Sequence, residues 1–244
     1  MKNKIIVITG GATGIGIAIS KELIRDNTVV SLDRNDTKIA ALKKSLPKVD
    51  SIKADVTSNE DLENAIKKIQ AAYGRIDVLI NNAGKGAAFD FVNASENDLA
   101  RYLAMEMAVN YHAPILLTKK ALPLLKKSTD PIVVVVSSGL AYMPMAALGS
   151  YCASKSAIHY VTMCIRHQLA PLKIRVVEVL PPVVDTELAK DAPVAKMPAE
   201  KFAQQFISRL EKGENVMNIG QTAGLEKFSR FLPGTAFKML NKQS

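Results

Sequence analysis

The sequence predicts an α/β fold in which a doubly wound parallel sheet carries helices on both faces, as a single domain over residues 1–244. Three observations carry that expectation. Short apolar, β-branched runs alternate with longer segments of helical period, the pattern of βαβ units. The run from Ile132 to Ser137 is nearly all valine, as expected of a strand buried on both faces. A chain of 244 residues at 48% hydrophobic can also bury one sizeable core without dividing.

Ile5 to Thr9 reads as the first strand, Gly14 to Asp26 as a helix and Thr28 to Leu32 as the second strand. A helix from Asp36 to Ser45 and a weaker strand from Val49 to Lys53 follow. Ser58 caps a helix running to Tyr73, and Asp61 three residues on completes a capping-box pattern. Val78 to Ile80 is the fourth strand. Asp98 to Lys127 is long and mostly helical, with bends expected at Pro114 and Pro123. After the valine strand, Ser150 to Leu169 is helical and Ile174 to Val179 forms the sixth strand. Beyond Pro181 the alternation stops. Val183 to Pro198 reads as a mobile loop, Ala199 to Lys212 as a helix, Asn215 to Ile219 as a last strand, and the tail from Gln221 as amphipathic.

The opening strand runs straight into Gly10-Gly11-Ala12-Thr13-Gly14-Ile15-Gly16 and then into a helical pattern. A strand, a glycine turn and a helix in that order form a cradle for a pyrophosphate. Gly10 permits the turn, Gly14 clears the phosphate approach, and Gly16 lets the helix pack on the strand, while the helix N-terminus offers unpaired N–H groups. Asp33 ends the second strand, where a carboxylate accepts hydrogen bonds from the adenosine ribose. These features make the sheet Rossmann-like and point to a nicotinamide dinucleotide. Asp33 repels a 2′-phosphate and favours NAD, whereas Arg34 beside it suits the phosphate of NADP. The turn itself contains no basic residue, so NAD is the expected cofactor, with NADP the alternative.

Tyr151 and Lys155 lie four apart on a predicted helix and so share a face. A nearby ammonium favours the phenolate. At about 4 Å and an effective dielectric near 20 the attraction is of order 4 kcal/mol, enough to lower the phenol by roughly 3 pH units at most. That tuning would bring Tyr151 into the range of general acid–base chemistry. Ser138 closes the valine strand at the carboxyl edge of the sheet, where open α/β folds bind ligands and a hydroxyl can meet a substrate carbonyl.

With these residues in view, the chain resembles the short-chain dehydrogenase/reductases over at least Ile5 to Glu187. Thr9-Gly10-Gly11-Ala12-Thr13-Gly14-Ile15-Gly16, Asn81-Asn82-Ala83-Gly84 and the Ser138, Tyr151, Lys155 set carry the resemblance. It implies that Gly10, Thr13, Gly14, Ile15 and Gly16 line the cofactor phosphates, that Asp55 and Val56 flank the adenine, and that Asn82, Ala83 and Gly84 border the cofactor. It further implies that Asn110 bends the long helix and holds a proton relay to Lys155, and that Pro181 and Thr186 adjoin the nicotinamide, along with Tyr151 and Lys155. The stretches around Ser137 to Ala146, Tyr151 to Lys155 and Pro181 to Thr186 are similar to the DltE-type bacterial oxidoreductases within that family. One departure stands out. Pro181-Pro182 replaces the family's Pro-Gly after the sixth strand, fixing φ and removing an N–H beside the nicotinamide.

The reaction expected is hydride transfer between nicotinamide and a small carbonyl or alcohol substrate, with the loop at 183–198 closing over it. The rival reading is a catalytically weak nucleotide-binding scaffold or sensor with the same fold, motivated by Pro182. The resemblance also implies a homodimer or homotetramer built on the helices carrying Asn110 and Tyr151.

Other function classes are disfavoured. The net charge is +9, but basic pairs such as Lys43-Lys44 and Lys67-Lys68 are scattered among predicted helices without interleaved aromatics, so they read as solvated faces and no nucleic-acid partner is expected. No apolar run approaches the roughly 20 residues of a membrane span, and the first twenty residues lack the basic start of a secretory signal. Cys152 and Cys164, twelve apart on one predicted helix, cannot pair, which fits a reducing cytoplasm. His112, His159 and His167 have no ligand spacing, so no metal is expected. Met143 and Met145, between Ser138 and Tyr151, are candidates to line the substrate pocket.

Overall fold

Residues 1–192 and 194–241 are described by a computed structural model. Pro193, in the predicted loop, and 242–244, at the end of the predicted domain, lie outside the described residues. The strands are β1 (Ile5–Thr9), β2 (Thr28–Asp33), β3 (Asp50–Lys53), β4 (Val78–Asn81), β5 (Ile132–Val136), β6 (Arg175–Leu180) and β7 (Val216–Asn218). They form one sheet in the order β3-β2-β1-β4-β5-β6-β7, and every described pairing is parallel. After β3 the chain returns to place β4 beside β1, so the winding reverses there and opens a crevice at the carboxyl ends of the two strands.

The helices are α1 (Gly14–Leu23), α2 (Asp36–Ser45), α3 (Asn59–Tyr73), α4 (Glu96–Met107), α5 (Ala113–Leu125), α6 (Gly149–Leu169), α7 (Ala199–Glu211), α8 (Thr222–Phe231) and α9 (Pro233–Leu240). Successive side chains of β5 divide between two cores because a strand alternates its faces. Ile132, Val134 and Val136 pack with Ile19 of α1 and Phe202 and Phe206 of α7. Val133 and Val135 pack with Leu62 of α3, Leu117 of α5 and Ile158 of α6. Each such burial is worth about 1.5–3 kcal/mol. This is the expected single-domain α/β fold, with helices on both faces of the sheet.

Local chemistry accounts for both ends of α3. Ser58 accepts a hydrogen bond from the Asp61 N–H at 3.1 Å, and Gly74 ends α3 in a left-handed conformation at φ 73°. The reciprocal half of the capping box is absent, because the Asp61 carboxylate accepts from the Asp55 N–H instead, at 2.8 Å. The long helical segment departs from regular winding next to Pro114, as expected, but not at Pro123. It breaks into α4, a π turn at Ala108–His112 and α5. The widened turn falls just ahead of Pro114, whose ring nitrogen cannot donate to the preceding turn. Pro123, by contrast, sits inside α5 without interrupting it. The segment read as a mobile loop is anchored at its base, where Met197 N–H donates to Val183 O and Asp185 N–H to Met197 O, both at 2.8 Å. No helix among the described residues is long and apolar enough to cross a membrane.

Candidate active site

The glycine turn after β1 adopts the conformation its residues allow. Gly10 has φ 66°, and a Cβ at Gly16 would overlap the Gly10 carbonyl oxygen, so α1 can lie against the turn only because position 16 has no side chain. Thr13 precedes α1 without a side-chain cap, and the first turn of α1 contains no acidic residue. The positive end of the helix is thus free to meet an anion. Ile15 packs against the first core cluster and holds the helix start in place. A Cβ at Gly14 would meet Thr186 Cγ2 at 3.1 Å, which sets Thr186 across from the turn. These are features that fit a dinucleotide.

The turn is tied to the next segment by side chains. Thr9 Oγ1 accepts from the N–H groups of Asn82 and Ala83, both at 3.0 Å. Asn82 Nδ2 donates back to Thr9 O at 3.0 Å and Gly10 O at 3.2 Å. The predicted residues Asn82 and Ala83 therefore brace the glycine turn from β4. Asp33 faces the same turn, accepting from the Ala12 N–H at 3.1 Å and from the Ser31 hydroxyl. Burial raises its carboxyl above the ordinary value, against the pull of these hydrogen bonds. Arg34 Nη1 lies 3.1 Å from Asp55 Oδ2. Burial would raise Asp55, but hydrogen bonds from the Thr57 N–H and hydroxyl and from Arg34 prevail and hold it low. Val56 packs against the second core cluster.

At the carboxyl end of β5, Ser138 is half-buried and extended, and its Oγ accepts from the Leu140 N–H at 3.1 Å. Burial pushes the Tyr151 phenol up to about 12, against a smaller opposing pull from the Ser138 hydroxyl. Lys155, one turn further along α6, is 3% exposed and donates to Val136 O at 2.9 Å. Burial draws its ammonium down to about 8, with Glu178 opposing. The expected lowering of the phenol by this ammonium is not present in this structure. Lys155 Nζ lies 5.7 Å from the Tyr151 ring centroid and is engaged by the end of β5, so desolvation governs the phenol.

Asn110, on the π turn, is 2% exposed. Its Oδ1 accepts from the Lys85 N–H at 2.9 Å, and its Nδ2 donates to Lys85 O at 2.7 Å and Ser154 Oγ at 2.9 Å. Gly84 lies between, since a Cβ there would stand 3.6 Å from Asn110 Oδ1 and 3.7 Å from Lys155 Nζ. Gly84, Asn110 and Lys155 are thus brought together from the loop after β4, the π turn and α6, beside Tyr151 of α6 and the end of β5 that leads to Ser138. Two contributors escape a sequence reading. Ser154 carries the link from Asn110 to the Tyr151 carbonyl, which its Oγ reaches at 2.7 Å. Gly86 lets the loop after β4 lie on the Tyr151 ring, where a Cβ would stand 2.9 Å from Cδ2. Only the spacing of Ser154, three residues after Tyr151, hinted at the first.

Past β6, Pro181 O accepts from the Gly139 N–H at 3.2 Å, so the first proline still pairs with the Ser138 segment. The ring of Pro182 lies against Gly220. Thr186 is extended and donates from Oγ1 to Val184 O at 3.3 Å. Met143 is buried and Met145 is half-buried. Among the described residues, no three His, Cys, Asp or Glu side chains are grouped to hold a metal ion.

Comparison with known proteins agrees with this architecture. The short chain dehydrogenase family profile matches residues 4–196. The uncharacterized oxidoreductase DltE of Bacillus subtilis (strain 168) is 30% identical over 250 residues, covering 100% of this chain and 98% of the relative. The farnesol dehydrogenase of Aedes aegypti is 31% identical over 200 residues, covering 78% of this chain and 80% of the relative. Among solved structures, a short chain dehydrogenase from Burkholderia cenocepacia J2315 in complex with NADP superposes with a TM-score of 0.85 at 25% identity, covering 98% of each chain. A profile match through β6 and a bacterial relative along the full length lead to one assignment: the chain belongs to the short chain dehydrogenase family and is a dehydrogenase/reductase.

Proposed function

We propose that this protein interconverts a small carbonyl compound and its alcohol, with Tyr151 giving or taking the hydroxyl proton. The observation that carries the reading is the approach of Gly84 to both Asn110 and Lys155 at the carboxyl end of β5, where Lys155 donates to Val136 O and Gly86 lies on the Tyr151 ring. A nicotinamide dinucleotide supplies the hydride when bound. Gly10, Thr13, Gly14, Ile15 and Gly16 would hold its phosphates, Asp33 and Asp55 its adenosine, and Gly84, Pro181 and Thr186 its nicotinamide half. A phenol at about 12 is neutral at physiological pH, so Tyr151 is ready to protonate a carbonyl oxygen that Ser138 orients. In the oxidative direction Tyr151 takes the proton, and Lys155 beside it favours the phenolate once the ammonium turns from Val136 toward the phenol. Asn110, fixed to Lys85 and Ser154, supports the proton path to Lys155.

NAD is the cofactor this reading favours. Asp33 lies against the glycine turn, where its carboxylate would repel a 2′-phosphate, and the guanidinium of Arg34 is already paired with Asp55. NADP is the alternative, and the Burkholderia structure bound to NADP keeps it open. The loop Val183–Pro198 closes over the substrate, excluding water. Exposed Leu103, Leu116, Tyr160 and Met163 on α4, α5 and α6 supply an apolar face for pairing subunits in a homodimer or homotetramer. Free Cys152 and Cys164 suit the cytoplasm.

The test is a panel of carbonyls and alcohols assayed with NADH, NADPH and their oxidised forms. Turnover by wild type that Tyr151→Phe loses supports the proposal. Nucleotide binding without turnover anywhere on the panel, with wild type and Tyr151→Phe alike, would identify a scaffold instead.

A further inference from the structure

Glu178 is a fully buried acid in the middle of β6, in a run otherwise apolar from Val176 to Leu180. It is held from two sides. Ser137 Oγ donates to Oε1 at 2.6 Å, and His159 Nδ1 lies 3.0 Å from Oε1 and 2.9 Å from Oε2. The placement of these partners gives the cluster its interest. Ser137 immediately precedes Ser138 at the end of β5, and His159 follows Lys155 by one turn of α6, so Tyr151, Lys155 and His159 succeed one another at four-residue steps on one helix face. A single carboxylate thus grips both the strand end that carries Ser138 and the helix that carries Tyr151 and Lys155.

We propose that Glu178, braced by His159 and Ser137, is a positioning residue that holds the strand end carrying Ser138 against the face of α6 that carries Tyr151 and Lys155, and sets a carboxylate beside that face. The proposal rests on the acid–base reading of Tyr151 and Lys155 given above. A buried carboxylate with an imidazole and a hydroxyl donating to it is satisfied as an anion, whereas the same acid without those donors would be costly to ionise. Its field then acts on the neighbouring buried cation. Burial lowers Lys155, and Glu178 is the charge that opposes the fall. The hydrogen bond to Glu178 raises His159 above an ordinary imidazole despite burial, with Glu226 of α8 adding to the rise and Arg166 of α6 resisting it. The other faces of His159 are closed by the rings of Tyr142 and Tyr160, at centroid separations of 5.2 and 5.1 Å. On the Tyr151 side the charged or titratable neighbours are Cys152 and Glu106 of α4.

The experiment reads charge directly and needs no turnover. In the full chain without cofactor or substrate, Lys155 is followed by side-chain NMR against pH, with Lys155→Met locating its signal. Glu178→Gln is expected to move the Lys155 midpoint down by about half a pH unit or more, and Glu178→Asp to restore most of the loss. An unmoved midpoint in folded Glu178→Gln overturns the proposal. The His159 ring titration in wild type is the second measurement and stands even where Glu178→Gln does not fold. A midpoint above the ordinary value of about 6.5 is expected, and one at or below it overturns the ionised pair. A protein that passes both measurements but fails the substrate panel would retain this charge cluster while losing the proposed reaction.

Discussion

Asn110 holds the backbone of Lys85 in both directions, accepting from its N–H at 2.9 Å and donating to its carbonyl at 2.7 Å. One side chain therefore fixes the loop leaving β4, the wall against which Gly84 approaches Lys155 and Gly86 approaches Tyr151. Replacing it by leucine would leave both Lys85 groups and the Ser154 hydroxyl short of a partner. Asn110→Leu is expected to cost about 2–4 kcal/mol in urea unfolding, with a greater loss of turnover than of cofactor affinity. Unchanged stability would show that the loop is held by other means.

Tyr151→Phe removes the proton donor while leaving the ring that Gly86 covers. Turnover is expected to fall about 10²- to 10⁴-fold with NADH affinity within a few-fold of wild type, measured by steady-state assay and by fluorescence titration. In the protein without cofactor, the phenolate absorbance belonging to this residue should rise only near pH 12, as the difference between wild type and variant. Appearance of that absorbance below pH 10 would mean that Lys155 already controls the phenol.

Lys155 is expected to make the fold less stable at neutral pH. Its folded-state value of about 8 lies below the ordinary 10.5, so the unfolded chain binds the proton more tightly. The penalty is full below pH 8 and disappears as pH rises from about 8 to 10.5. Lys155→Met is therefore expected to raise stability at pH 7 by at most about 3 kcal/mol, less the Val136 hydrogen bond, while abolishing turnover. In denaturant melts the advantage of the variant should be gone by pH 10.5. A gap that stays constant with pH would point to packing instead.

Gly16→Ala places a methyl group against the Gly10 carbonyl, and the backbone of the turn has to give. Losses of about 1–3 kcal/mol or more in stability are expected, together with loss of NADH binding, because α1 can no longer seat on the turn. Gly224→Ala, in open space at the same substitution, serves as the control and should be nearly silent.

Cofactor choice should turn on Asp33. Asp33→Ala is expected to weaken NADH use and to shift the NADPH to NADH ratio of kcat/KM upward by about tenfold or more. The same variant removes a carboxylate from the Ala12 N–H, so a modest fall in melting temperature should accompany it. A ratio that does not move would place the ribose contact elsewhere.

The strands were readable because apolar runs report burial directly: Ile5–Thr9 matches β1 to the residue, and the valine run matches β5 apart from Ser137. The glycine turn was equally legible, since backbone shape there depends on missing side chains. What depends on contacts between distant segments was not. Pro114 marks an interruption near residues 108–112 but not its form, because the clasp of Asn110 on Lys85 depends on a distant segment. The direction of the Tyr151 shift differs from the sequence expectation for a similar reason. Spacing along α6 brings Lys155 near, but only the packed end of β5 shows where its ammonium points. Glu178 did leave a trace, as a lone acid in an apolar strand.

The π turn also fixes how the chain tolerates changes in length. Each residue of a regular helix advances the azimuth by about 100°, and the wide turn absorbs one residue more than regular winding needs. Deleting a single residue between Ala108 and His112 would let the winding become regular while α4 and α5 keep their present faces. Only the widened turn that presents the Asn110 amide to Lys85 would be lost. A one-residue deletion here should therefore disturb the fold less than the same deletion within α4 or α5, where every residue on one side would be turned by about 100°.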